Sequence, residues 1–204
     1  QLHYFVGLGS LISSFRLELS DIFNQIDTIQ NRFNDVTVQF FDTRLILNYK
    51  HVYYACYHAL KSIQLERNIS NKIGIEFLLY LAADRQIKKA LKHYGITNAQ
   101  LLQKKLAYCI ISLKNNLDAV LKNLLKGIGA EEVDLDLTKK SYAKYETIKD
   151  YFELNDNQIK TVLKSYEKNT ESDLSKEKEL ERLYLALEDL ICEKMVLLSL
   201  EKQF

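Results

Sequence analysis

A chain of 204 residues without a single proline has no rigid breakers. Its segments must be separated by Gly, Asn, Asp and Ser, so element boundaries are sought at those residues and at changes in hydrophobic period. Leu2 to Leu8 is mostly apolar and aromatic and stops at Gly9-Ser10, which predicts a buried strand. Ser20 and Asp21 offer a helix cap ahead of Ile22, Ile26, Ile29 and Phe33. Val36, Val38 and Phe40 alternate with Thr37 and Gln39, the period of a half-buried strand. From Tyr49 to Glu66, Val52, Ala55, Cys56, Ala59, Leu60 and Ile63 form one helical stripe, with Lys50, Tyr54, Tyr57 and Lys61 opposite.

The turn at Asn68 to Asn71 leads to a short helix capped by Ser70 or Asn71. The apolar run from Phe77 to Ala82 is read as a buried strand on length. A helix from Arg85 to Tyr94 closes at Gly95. Leu106 to Leu113 reads as a further strand. A helix from Leu117 to Lys126 follows, capped by Asn115 or Asn116 and ended by Gly127, and Val133, Leu135 and Leu137 suggest an edge strand. Beyond Thr138 the pattern is helical throughout, with Lys168 to Lys178 as a flexible loop. The sum is one domain over residues 1–204, of α+β or mixed α/β class: a central mixed sheet, flanking helices and a helical C-terminal third.

Composition limits function more than fold. The 28 basic and 27 acidic residues nearly cancel, so any nucleic-acid binding must come from a local patch. Cys56, Cys109 and Cys192 lie apart in apolar stretches and read as small buried hydrophobes in a reducing compartment. No apolar run approaches the ~20 residues that span a bilayer, and the start lacks the pattern of a signal peptide. Gln1 implies that an initiator or short leader has been removed. The expected location is cytoplasmic, with no membrane association.

The search for chemistry finds no metal-ligand spacing among His3, His51, His58 and His93 and no C-x-x-C. Gly7-Leu8-Gly9-Ser10 lacks the third glycine and the lysine of a phosphate cradle. The acidic pairs Glu131-Glu132 and Asp134/Asp136 read as solvated loop. The expectation is therefore no catalytic residue, no metal and no cofactor. The segment from Arg85 to Lys92 is different. On a helical wheel Arg85, Lys88, Lys89 and Lys92 gather on one side, with Ile87, Ala90, Leu91 and Tyr94 opposite. Such a one-sided cluster, with Lys50, Lys61 and neighbouring tyrosines, suits phosphate oxygens and stacked bases.

Several strings, in order, carry a resemblance: Lys50-His51-Val52, Ala59-Leu60, Arg67-Asn68-Ile69-Ser70, Glu76 with Leu78-Leu79-Tyr80-Leu81, Arg85-Gln86-Ile87, Tyr94-Gly95-Ile96, and Glu193-Lys194-Met195-Val196-Leu197-Leu198. Together they resemble the kinase-binding subunit family of the KEOPS (EKC) complex, the family of the human PRPK-binding protein TPRKB, and point to an archaeal member. The segment from Glu131 to Lys178 is longer than usual for that family, and Ala82-Ala83-Asp84 stands where glycine is common.

The resemblance implies a mixed sheet flanked by helices and a non-catalytic subunit. It would bind the small atypical kinase-like ATPase of KEOPS, support its activity, and help hold tRNA by its 3′ CCA end. The complex makes threonylcarbamoyladenosine on tRNA, with other subunits present and the chemistry carried elsewhere. Under this reading Arg85, Lys88, Lys89 and Lys92 neutralise phosphates, Lys50, His51 and Arg67 extend the track, and Asn68 and Gln86 supply polar contacts. For Arg67 to Ser70 a purely structural turn is an equal alternative. Phe23, Ile26 and Ile29 are weak candidates for the kinase surface, with core packing the stronger use. Two other classes compete: a small-molecule enzyme using His51 or His58 with a carboxylate in a deep pocket, and a structural scaffold with a merely solvated basic helix.

Overall fold

The computed structural model describes residues 3–166 and 175–200. In chain order these form β1 (Phe5–Ser13), α1 (Leu19–Arg32), β2 (Val36–Phe41), α2 (Tyr49–Gln64), α3 (Ile73–Ala82), α4 (Ile87–Tyr94) and α5 (Asn98–Leu102). There follow β3 (Lys105–Ser112), α6 (Leu117–Ile128), β4 (Ala130–Val133), α7 (Tyr142–Tyr151), α8 (Asp156–Ser165) and α9 (Lys176–Leu200). The chain thus adopts the expected α+β class with a helical C-terminal third.

The sheet order is β2-β3-β1-β4, and each of its three pairings is antiparallel. Strand β3 separates β1 from β2, and β1 separates β3 from β4. With α1 and α6 as the connections, the frame is two interleaved split β-α-β units, the arrangement called ferredoxin-like. Helices α2 to α5 are an insertion between β2 and β3.

Strand β3 explains why its sequence reads as a continuous apolar run. Leu106, Tyr108 and Ile110 enter one core with Ile22 and Ile29 of α1 and Val120 and Leu124 of α6. Ala107, Cys109 and Ile111 enter a second core with α2, α3, α7 and α9. A strand covered on both faces has no polar side to display, so period-2 alternation in polarity is lost. Cys56 and Cys109 are buried in that second core and Cys192 is half-buried, in line with their reading as packing residues.

The structure corrects several boundaries. Strand β1 runs through Gly9-Ser10 to Ser13. A Cβ on Gly9 would stand 2.6 Å from Cζ of Tyr108, so the glycine serves a close ring-to-backbone approach and not a chain break. Ser10 is buried and its hydroxyl donates to the carbonyls of Val133 and Asp134, at 3.1 and 3.0 Å.

The run from Phe77 to Ala82 is helical, not a strand. Helix α3 is buried from Glu76 to Ala82, so it lacks the solvent face that gives a helix its period. Its residue Ala83 ends it in the left-handed region, at φ 44°. Gly127 lies inside α6, and the stop is Gly129, at φ 58°. The edge strand is Ala130–Val133, ahead of the expected position, and the short α5 has no counterpart among the expected elements. Of the expected loop, residues 168–174 lie outside the described residues, while Lys176 to Lys178 open α9.

Candidate partner-binding surface

The basic segment is assembled from two parts. Arg85 and Gln86 precede α4, and Gln86 stands at its N-cap. Asp84 organises the approach: its Oδ1 accepts the Gln86 N–H at 2.8 Å, and its Oδ2 pairs with Lys89 Nζ at 2.8 Å. The Lys89 ammonium also lies 5.9 Å from the centre of the Tyr151 ring. The four cations are therefore not equivalent. Lys89 leans back onto the body of the protein, whereas Lys88 and Lys92 are exposed and form no ion pair among the described residues.

The apolar side of α4 also departs from expectation. Ala90 and Tyr94 are buried, yet Ile87 and Leu91 are 39% and 42% exposed. The large Tyr94 ring fills the space beneath the helix, packing against His51 and Tyr151 at 6.3 and 5.6 Å between ring centres. Ile87 and Leu91 are thereby left at the surface beside Lys88 and Lys92. His93 sits tilted against Tyr151, and burial, followed by the nearby Lys92, Lys89 and Arg44, lowers its pKa.

The outer face of α2 makes a second surface. Tyr53 and Tyr57 stack, with ring centres 6.5 Å apart and 15° between planes, and Lys61 Nζ lies 5.6 Å from the Tyr57 ring centre. Lys50 pairs with Glu188 of α9 at 2.8 Å, and Asn48 donates to the same carboxylate at 2.6 Å. Its charge is thus partly answered within the protein.

Beyond α2, the Arg67 to Ser70 turn is built around one buried side chain. Glu76 accepts the Ser62 hydroxyl at 2.8 Å through Oε1, and the N–H groups of Ile69 and Ser70 at 3.0 and 2.9 Å through Oε2. Asn68 turns its amide inward, donating to Ser70 O and Asn71 Oδ1 at 3.1 and 3.0 Å. The turn reading of this string is thus the one its hydrogen bonds describe.

The two surfaces do not merge. The end of α9 lies between them, with a hollow on each side. Leu197, Leu198 and Lys194 face Ala83 to Gln86 across a hollow of about 340 Å³. Val196, Ser199 and Leu200 line another of about 290 Å³ with His58, Lys61 and Arg67. Arg67 therefore stands with α2, apart from the basic face of α4.

The histidines fall into different environments from those their candidate roles require. His51 is enclosed: Nδ1 accepts the Leu47 N–H at 3.2 Å and Nε2 donates to Leu81 O at 3.0 Å. It cannot reach a ligand at the surface, which corrects its place in the basic track. Burial, with a smaller push from Lys144, lowers its pKa to about 4 against the Leu81 bond that opposes the shift.

The unfolded chain, with a histidine pKa near 6.5, takes up this proton first as pH falls. His51 therefore costs stability progressively below about pH 6.5, by up to about 1.4 kcal/mol per pH unit, until the folded-state value is reached. Urea midpoints of wild type and His51→Gln measured from pH 7.5 to 4.5 should converge as pH falls. A constant gap between them would show that His51 does not titrate this way.

His58 is half-buried and stacks on Tyr80 at 5.7 Å, with Ser199 Oγ 3.4 Å from Nδ1. Neither ring is bonded to a carboxylate, so the acid–histidine pair of the enzyme reading is not formed by these residues. Among the described residues no group of three His, Cys, Asp or Glu could hold a metal, and no helix is long and apolar enough to cross a membrane.

Of the weak kinase-surface candidates, Ile29 is core, Ile26 is half-buried against that core, and only Phe23 is outward, at 53% exposure. They do not form one patch. The exposed apolar surface that residue-level reading missed comprises Tyr53, Tyr57 and Leu65 with Val196 and Leu200. Its one legible signal was Tyr53 and Tyr57, four residues apart on the outer side of α2.

No curated protein matches the chain. The family model described as kinase binding protein CGI-121 matches residues 19–199, from the start of α1 to the last turn of α9, so that of the described elements only β1 lies outside it. The chain belongs to the CGI-121 family of kinase-binding proteins.

Proposed function

We propose that this protein is a non-catalytic, cytoplasmic subunit of the KEOPS complex. It binds the complex's small kinase-like ATPase, supports its activity, and holds tRNA by the 3′ CCA end during threonylcarbamoyladenosine formation. Family membership supports the kinase partner. The observation that carries the tRNA role is the outward face of α4, where Lys88 and Lys92 stand exposed on one short helix.

In a chain whose charges otherwise nearly cancel, that local concentration is what a phosphate backbone would find. Arg85 and Gln86 adjoin it at the hollow shared with Lys194, on the scale of a nucleotide. Lys89 acts through its pairing with Asp84, which fixes the helix start. Lys50 and Arg67 lie outside this face.

The test is tRNA binding by the isolated protein, with intact tRNA and with tRNA lacking its terminal CCA. Weaker binding of the trimmed tRNA is the expected result. Equal binding of both would remove the CCA-end assignment and leave only generic attraction between phosphates and lysines.

A further inference from the structure

The hollow between α2 and α9 has a construction unlike the basic face of α4. Its walls are aliphatic: Leu65, Val196 and Leu200, exposed by 50%, 43% and 49%. At its base His58 is fixed by stacking on Tyr80 and by its contact with Ser199. Two cations stand at the rim, and among the described residues no carboxylate lines it. Lys61 is steadied over the Tyr57 ring. Arg67 follows a turn whose shape is held by Glu76 and by its own N–H donating to Ser62 O at 2.8 Å.

The chemistry of these walls selects the occupant. The two rings of the lining, His58 and Tyr80, are stacked on each other and Tyr80 is fully buried, so the exposed aliphatic walls leave a base little free plane to stack on. At about 290 Å³ it lies at the lower edge of the ~300–1,000 Å³ typical of small-molecule sites, and its inner polar side chains are engaged within the protein, His58 with Ser199 and Ser62 with Ala59 O and Glu76. An apolar pocket with a charged rim, next to the exposed rings of Tyr53 and Tyr57, is the form of a protein–protein anchor site.

We propose that this hollow is where the kinase partner docks. It takes an apolar side chain of the kinase, while Lys61 and Arg67 face carboxylates flanking that anchor. The assignment rests on the kinase-binding reading of the chain. Because α9 separates this hollow from α4, the kinase and the tRNA occupy different sides of the same helix end.

The experiment measures affinity for the purified small kinase-like ATPase from the same source, and for tRNA, with two variants of the full chain. Val196→Asp places a charge on the apolar wall. Lys61→Glu combined with Arg67→Glu reverses the rim at two exposed positions and leaves the wall intact. Each variant is expected to bind the kinase at least tenfold more weakly than wild type, and Val196→Asp to keep wild-type tRNA affinity.

Wild-type kinase affinity in both variants would overturn the docking site while leaving the kinase-binding reading in place. Loss of tRNA binding with kinase binding retained would assign the hollow to nucleic acid and overturn it equally. Failure of the unsubstituted protein to bind the kinase would remove the kinase-binding reading, and the docking site with it.

Discussion

Glu76→Ala is expected to lower the unfolding free energy by about 2–4 kcal/mol, a large part of the ~5–15 kcal/mol typical of a single domain. The carboxylate is fully buried, and its donors among the described residues include the Ser62 hydroxyl and the N–H groups of Ile69 and Ser70. Ser62 can still bond to the Ala59 carbonyl at 2.9 Å after truncation, so its loss is partial. The two backbone donors have no such second partner in the turn, but they belong to half-buried residues that water can reach in part, so each costs toward the lower end of the range of about 1–3 kcal/mol for an unsatisfied donor. A small cavity adds to this.

Glu76→Gln should cost less, because an amide oxygen still accepts while its NH₂ faces donors on one side. Urea unfolding with the m-value held constant gives the measurement. A loss below about 0.5 kcal/mol for the alanine variant would mean that the 67–70 turn is held by something else.

The second large effect concerns binding. Replacing Lys88 and Lys92 together by glutamate should weaken tRNA binding about 25-fold at 0.1 M salt. It should also reduce the slope of log K against log salt by about 1.4. Both figures follow from roughly 0.7 counterions released per phosphate contact with a single strand, for two contacts.

Lys88 and Lys92 suit this test better than any pair including Lys89. Reversing Lys89 would also break its bond to Asp84 and disturb the start of α4. A plot of tRNA affinity against salt for wild type and variant decides the matter, and superimposable lines would end the nucleic-acid role of α4. Kinase affinity of the same variant is expected to stay at the wild-type level.

Elements with one wet side were legible in the sequence, and those without were not. Helix α2 declares itself because Val52, Ala55, Cys56 and Ala59 alternate with exposed Tyr53 and Tyr57 at helical spacing. Helix α3 has no wet side, so a run that looks like a buried strand is a buried helix. Gly9 looked like a stop, and only the Tyr108 ring from another strand explains it.

The same division runs through the site. The one-sided charge of Lys88 and Lys92 is local and was readable, whereas the pairing of Lys89 with Asp84 was not read. That Lys50 is answered by Glu188 is a contact across 138 positions, which spacing along a helix cannot reveal. The enclosure of His51 depends on Leu81 of α3, thirty positions away, closing over a ring whose other nitrogen is met by the nearby Leu47. The hollow beside Arg67 joins residues 58–67 to residues 196–200, and no local pattern brings those together.

The sheet order carries a kinetic consequence. Ser112 of β3 lies opposite Phe5 of β1 and Val36 of β2, and Ser10 of β1 lies opposite Val133 of β4, so all three pairings close only after long stretches of chain have been gathered in. Chains rich in local helical contacts fold quickly, and distant strand pairing slows the search by orders of magnitude. Despite its many helices, this protein should fold at the pace of its sheet. Helices α2 to α5 are tethered as one closed loop between β2 and β3, and they are held in their final arrangement only when β3 arrives.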